Sequence, residues 1–110
     1  TGKRMLEYAG RSNLKRVWTE CGGKSPNIIL PDARDLDRAA TAAAWGIFYN
    51  QGEVCTAGSR LLVHESVKDA VLEKILAIGR TLAPGDPLDP KTQLGAIVDR
   101  QQLDTVMGYV

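Results

Sequence analysis

Residues 27–49 read NIILPDARDLDRAATAAAWGIFY, a short apolar run followed by an alanine-rich stretch. The apolar run 27–30 has a proline on each side, which predicts a brief buried strand. Asp35 is a favourable N-cap, and the alanines after it favour a helix over residues 37–49. This helix would lead the chain into a glycine-containing loop at residues 50–58.

Downstream of that loop, the pattern predicts a second strand and a second helix. Residues 60–64 include three consecutive apolar side chains, and Ser66 would cap a helix that runs through Leu82. The prolines and aspartates of residues 84–90 predict a turn-rich loop. Asp99 would then cap a terminal helix.

Upstream, the sequence predicts a helix over residues 2–9 with Gly10 as its C-cap. Residues 14–20 alternate in character, which predicts a short strand that ends at a pair of glycines. Sites in open α/β sheets commonly lie at the carboxyl ends of strands. Glu20, at the end of this predicted strand, is therefore a candidate functional residue.

The composition fits a globular protein and gives no support for a nucleic acid or membrane partner. The 110 residues are 44% hydrophobic and 25% charged, with a net charge of +1. Nucleic-acid-binding and membrane-surface proteins usually carry a strong basic excess, which is missing here. No run of about 18 apolar residues predicts a membrane span. The chain starts at Thr1 and stops within a helical pattern, so we expect it to be a segment of a larger protein.

The cysteines point to a reducing compartment and not to a metal site. Cys21 and Cys55 are far apart in sequence, and His64 is the single histidine, so a zinc site has little support. Low cysteine content favours a cytoplasmic protein with free thiols. We therefore predict no metal site.

Cys55 and Glu20 form a candidate catalytic pair. Cys55 follows the long predicted helix and a glycine turn, a context that can present a thiol at a cleft. A thiolate can attack a carbonyl group and a carboxylate can later activate water, so the pair favours covalent acyl chemistry. Taken singly, each has an ordinary interpretation, because most free cysteines are small core residues and most glutamates are solvated.

Two longer motifs around these residues resemble the signatures of NAD(P)-dependent aldehyde dehydrogenases. The glutamate motif is ECGGKSP at residues 20–26, and the cysteine motif is FYNQGEVCTAGSR at residues 48–60. Residues 13–17 and 85–90 are similar to segments of the family too, so the resemblance covers essentially the whole chain. Glu53 stands where glutamine is commoner in that family.

The resemblance implies an α/β fold divided between two domains. Residues 1–26 would be the C-terminal part of a Rossmann-like NAD(P)-binding domain, and residues 27–110 the N-terminal part of the α/β catalytic domain. Glu20 and Cys55 would then lie on opposite sides of the boundary, and clefts between domains commonly hold ligands. The chain has no G-x-G-x-x-G motif, and the family binds its cofactor in a different manner.

The resemblance also implies oxidation of an aldehyde to a carboxylic acid with NAD or NADP. Cys55 would form a thiohemiacetal and then a thioester, and Glu20 would be the general base for thioester hydrolysis. The turn at Cys21 and Gly22 would contact the cofactor, Cys21 through its carbonyl group. The motifs are similar to the branch that oxidises aminoaldehydes from polyamine breakdown, such as γ-glutamyl-γ-aminobutyraldehyde. The complete protein would be a homo-oligomer, and the isolated segment would be inactive.

Two other functions stay open at this point. A cysteine hydrolase or acyltransferase would pair Cys55 with His64, but His64 ends an apolar strand and fits a surface edge better. A pseudoenzyme or interaction fragment is the second alternative. Intact Glu20 and Cys55 count against a loss of activity.

Overall fold

Two strands and two helices alternate at the centre of the chain. A computed structural model describes residues 1–110. Strand β1 (Pro26–Ile29) leads into helix α2 (Leu36–Phe48), which is followed by strand β2 (Arg60–Val63) and helix α3 (Glu65–Gly79). Helix α1 (Gly2–Arg11) precedes this unit, helix α4 (Arg100–Met107) follows it, and a short 3-10 turn (Tyr49–Gly52) extends the end of α2.

The two strands pair in parallel, with Pro26 opposite Arg60 and Ile29 opposite Val63. Parallel neighbours need a crossover connection, and α2 supplies it. A helix that links parallel strands is the basic unit of α/β proteins. The α/β fold class predicted from the sequence is confirmed.

A small core lies where α2 and α3 pack against the sheet. Its six buried residues come from β1, α2 and α3: Ile29, Ala40, Ala43, Ala44, Val71 and Ile75. Alanines on the buried face of α2 have little side-chain volume, so the backbone of α2 can approach α3 closely. This packing fixes the position of the loop that follows α2.

Outside this core, much apolar surface is uncovered. Only 8 of the 110 residues are buried, and the radius of gyration is 18.1 Å, compared with about 13 Å for a compact domain of roughly 100 residues. The chain therefore buries less of its apolar surface than an independent domain does. None of its helices combines the length and apolar character needed to cross a membrane.

The aspartate caps are confirmed. The Arg38 N–H donates to Asp35 Oδ1 at 2.9 Å, and the Gln102 N–H donates to Asp99 Oδ1 at 2.7 Å. Each bond satisfies an amide in the first turn, where no helical carbonyl is available.

Three predicted helix boundaries are wrong. His64, not Ser66, caps α3, because His64 has the extended backbone of a cap and its Nδ1 accepts the Ser66 N–H. Helix α3 ends at Gly79, three residues before Leu82, which lies in the following turn. Gly10 lies inside α1, and Ser12 is the C-cap.

The strand predicted over residues 14–20 does not form. These residues are irregular, and Leu14 and Trp18 are 78% and 79% exposed. Alternation predicts a strand only where a neighbouring strand can complete the hydrogen-bond ladder, and β1 and β2 pair only with each other. Glu20 therefore lies in an irregular segment, residues 12–25, that leads into β1.

Candidate active site

An open cavity of about 420 Å³ contains both predicted catalytic residues. Its walls come from the segment before β1, from the loop between α2 and β2, and from α4. The lining residues are Glu20, Gly22, Gly23, Lys24, Gly52, Glu53, Val54, Cys55, Ala57, Ser59 and Gln102.

The loop that carries Cys55 reverses the chain directly after α2. Asn50, Gln51 and Gly52 have φ angles of 49°, 57° and 76°, in the left-handed region. Asparagine and glycine tolerate this region better than most residues, so the sequence permits a sharp turn here. The turn stops the helix and leaves Cys55 exposed at the cavity.

The far end of the loop returns to α2. The Gly58 N–H donates to the Gly46 carbonyl at 3.0 Å, and Ala57 is buried. The Ala57 N–H donates to the Val54 carbonyl at 2.9 Å, which forms a tight turn around Cys55. The backbone N–H of Cys55 itself donates no hydrogen bond within the chain. An oxygen atom bound near the sulfur could therefore accept a hydrogen bond from this amide.

Glu20 is held by the glycine turn that follows it. The Gly22 N–H donates to Glu20 Oε1 at 3.1 Å, and Gly22 has a φ angle of 74°. The other carboxylate oxygen makes no hydrogen bond within the chain. The turn therefore orients the carboxylate and leaves one oxygen to interact with water or a ligand.

The glutamate turn and the cysteine loop touch directly at Gly23. A Cβ atom built at Gly23 would lie 2.7 Å from the carbonyl oxygen of Cys55, closer than real Cβ contacts come. Only glycine allows this approach without movement of the backbone. The contact explains the glycine at position 23, and the positive φ angle explains the one at position 22.

Three more polar residues line the cavity. Lys24 Nζ donates to the Gly23 carbonyl at 3.1 Å, and Glu53 Oε1 lies 3.5 Å from the Val98 N–H. Gln102 comes from α4 and was missed by the sequence reasoning. No local pattern marks this residue, because its position depends on how α4 packs against the loop.

The structure brings Glu20, Gly22 and Cys55 together and leaves Cys21 and His64 outside the cavity. The sulfur of Cys21 faces Gly2, where a built Cβ would lie 3.6 Å away. His64 caps α3, with Nδ1 2.9 Å from Ser66 Oγ.

The backbone between Cys21 and Gly23 is open to a ligand. All three residues are exposed, and the two glycines add no side chain that would obstruct a ligand. The Cys21 carbonyl accepts no hydrogen bond within the chain, so it can accept one from an amide NH₂ group.

Residues 1–110 match the family model described as the aldehyde dehydrogenase family. The chain belongs to the aldehyde dehydrogenase family. The resemblance seen in the glutamate and cysteine motifs is thereby confirmed.

Individual aldehyde dehydrogenases are similar along the whole chain. The chain is 50% identical to the NADP/NAD-dependent aldehyde dehydrogenase PuuC of Escherichia coli (strain K12), and the match covers 100% of this chain and 22% of PuuC. The solved gamma-glutamyl-gamma-aminobutyraldehyde dehydrogenase from Burkholderia cenocepacia J2315 is 63% identical with a TM-score of 0.88, over 98% of this chain and 22% of that one. An indole-3-acetaldehyde dehydrogenase solved with NAD+ is 57% identical with a TM-score of 0.86, again over 98% and 22%.

The chain thus spans about a fifth of the length of these aldehyde dehydrogenases. PuuC is described as NADP/NAD-dependent and the indole-3-acetaldehyde dehydrogenase was solved with NAD+, in agreement with the two cofactors predicted from the motifs.

Proposed function

We propose that this chain carries the nucleophile and the base of an enzyme that oxidises an aldehyde to a carboxylic acid with NAD+ or NADP+. The observation that carries the proposal is that Cys55 and Glu20 line one cavity. Membership of the aldehyde dehydrogenase family supports the same reaction.

Cys55 begins the reaction. Its thiolate attacks the aldehyde carbon, and the new C–S bond gives a thiohemiacetal whose oxygen carries the negative charge. The unpaired backbone N–H of Cys55 donates a hydrogen bond to this oxygen. When bound, NAD+ or NADP+ supplies the acceptor for the hydride that leaves the carbon, so that a thioester remains on Cys55.

Glu20 completes the reaction. Its carboxylate takes a proton from water while the water oxygen attacks the thioester carbon, the C–S bond breaks, and the acid leaves. The hydrogen bond from Gly22 keeps the carboxylate at the cavity during this step. Cys21 and Gly22 would hold the cofactor, and the Cys21 carbonyl would accept a hydrogen bond from the nicotinamide amide.

The proposal extends to the organisation of the complete protein. Residues 1–26 close the NAD(P)-binding domain and residues 27–110 begin the catalytic domain, so the cavity lies at the seam between them. The complete enzyme is a cytoplasmic homo-oligomer with no nucleic acid or membrane partner. The 110 residues alone do not turn over substrate, because they span about a fifth of the relatives.

Aminoaldehydes are the substrate class that we propose. The support is the 63% identity to a gamma-glutamyl-gamma-aminobutyraldehyde dehydrogenase. The walls of the cavity add polar groups from Glu53, Lys24 and Gln102.

The test is to express the full-length protein that contains this chain and to measure NAD(P)H absorbance. The assay compares NAD+ with NADP+ and uses γ-aminobutyraldehyde, γ-glutamyl-γ-aminobutyraldehyde, propanal and hexanal. We expect aldehyde-dependent reduction of the cofactor, fastest with an aminoaldehyde. No reduction with any aldehyde and either cofactor would contradict the proposal, and faster turnover of the aliphatic aldehydes would overturn the substrate class alone.

A further inference from the structure

Within these 110 residues, one residue donates every hydrogen bond that joins the segment carrying Glu20 to the residues from Pro26 onward. No residue from Thr1 to Ser25 is buried. Two hydrogen bonds cross from this region to residues 26–110, and Arg60 donates both. Its backbone N–H donates to the Ser25 carbonyl at 3.3 Å, and its Nε donates to the Lys24 carbonyl at 2.7 Å.

The side chain of Arg60 extends the parallel sheet at a point where the backbone cannot. Arg60 is opposite Pro26, the first residue of β1, and proline has no N–H to donate. The N–H of Ser59, the residue before β2, already donates to the Ala57 carbonyl. The Arg60 backbone reaches no further than the Ser25 carbonyl. The guanidinium group therefore binds the next carbonyl upstream, that of Lys24.

Arg60 also adjoins the loop that forms the cysteine side of the cavity. It is the first residue of β2 and directly follows the loop that presents Cys55. In the glycine turn that follows Glu20, Gly23 contacts the Cys55 carbonyl. Arg60 thus connects the strand after the nucleophile to the turn after the base.

We propose that Arg60 is a positioning residue that holds the Glu20 carboxylate over the Cys55 thioester during hydrolysis. The proposal rests on the function proposed above. Arginine suits the role because its charged planar group makes short, directional hydrogen bonds, whereas lysine carries a compact charge on a flexible stem. Loss of the bond lets the glutamate turn move while the Cys55 loop stays packed on α2.

Hydrolysis of the thioester should therefore slow down while its formation does not. The test uses the full-length enzyme, NAD+ and γ-aminobutyraldehyde, with rapid quenching and intact-protein mass spectrometry to follow acylated enzyme. We expect Arg60→Gln to form the acyl-enzyme at nearly the wild-type rate and to hydrolyse it about 10-fold more slowly, since a misplacement of about 1 Å can cost up to about 100-fold.

Two further variants separate positioning from general damage. Arg60→Lys keeps the charge and a donor nitrogen but loses the planar group, so its hydrolysis rate should lie between those of wild type and Arg60→Gln. Arg80→Gln is the matched control, because the Arg80 side chain makes no hydrogen bond or ion pair in this structure, and both rates should stay at wild-type values. If Arg60→Gln fails to fold, the Arg60→Lys rates decide the question.

The outcomes distinguish this proposal from the one on which it rests. If wild type forms and hydrolyses the acyl-enzyme but the Arg60 variants match it, the positioning role is wrong and the proposed function stands. Equal slowing of both steps would also overturn the positioning role. If wild type forms no acyl-enzyme, the proposed function fails and the role of Arg60 fails with it.

Discussion

Cys55 and Glu20 face one cavity, but the two stretches of chain that present them are supported in different ways. The Cys55 loop connects α2 to β2 and returns to α2 through the hydrogen bond from Gly58 to Gly46. The Glu20 segment contributes no buried residue and is joined to the rest by Arg60. Within these 110 residues, core packing supports the candidate nucleophile, whereas a few polar contacts and one glycine support the candidate base.

The largest expected effect contrasts the two cysteines in the full-length enzyme. Cys55→Ala should abolish aldehyde oxidation, because alanine has no nucleophile at the cavity. Cys21→Ala should keep nearly wild-type kcat, because the Cys21 sulfur faces α1 and its carbonyl is unchanged. The assay is steady-state NAD(P)H formation. Substantial turnover by Cys55→Ala would contradict the assignment of the nucleophile.

The next effect tests the contact between the two stretches. In Gly23→Ala the new methyl group would meet the Cys55 carbonyl at 2.7 Å and force the backbones apart. We expect kcat of the full-length enzyme to fall about 10- to 100-fold. The control is Gly10→Ala, whose methyl group would meet no atom within 4 Å and which lies inside a helix. A wild-type kcat in Gly23→Ala would show that the separation of the two stretches is not critical.

A smaller effect concerns the support of the Cys55 loop through α2. Asp35→Ala removes the N-cap and should lower the free energy of unfolding by about 1 kcal/mol. Asp35→Asn keeps an oxygen that can accept the Arg38 N–H and should cost much less. Chemical denaturation of the full-length enzyme compares the two variants. Equal destabilisation would mean that the charge of Asp35, and not its capping bond, supports α2.

The smallest effect is the pH dependence of the ion pair between Lys74 of α3 and Asp37 of α2. The hydrogen bond to Asp37 raises the pKa of Lys74 above its ordinary value of 10.5, and desolvation of the ammonium group opposes this shift. Because the folded pKa is the higher one, the contribution is complete below pH 10.5 and is lost as the pH rises through the folded pKa.

The comparison of wild type with Asp37→Asn in thermal unfolding checks this pair. The Tm difference should be small, since both side chains are exposed to solvent, and it should disappear in strongly alkaline buffer. A difference that persists there would assign the role of Asp37 to something other than Lys74.

The same contrast between the two stretches explains which parts of the fold could be predicted. Helix α2 depends on its own alanines and on the Asp35 cap, so local sequence predicts it well. The stretch 14–20 alternates like a strand, but a strand depends on a partner that local sequence does not specify, and none pairs with it. The cap at His64 differs from the predicted Ser66 because the backbone conformation decides which residue caps a helix.

The candidate site also contains some residues that local sequence predicts and others that it does not. Glu20, Gly22 and Cys55 were found from motifs, since each belongs to a short run of characteristic residues. Gln102 and the hydrogen bond from Arg60 to Lys24 join residues that are distant in sequence. Only the packed structure brings such residues together, so no spacing rule could identify them.

The most direct test of the central claim traps the acyl group between the two proposed steps. The full-length Glu20→Gln enzyme is mixed with NAD+ and γ-aminobutyraldehyde, digested, and mapped by mass spectrometry. General bases commonly contribute about 100- to 10,000-fold, so the thioester should accumulate. The account predicts an acyl adduct on the peptide that contains Cys55 and none on the peptide that contains Cys21. Turnover at the wild-type rate without an adduct, or an adduct on Cys21, would contradict it.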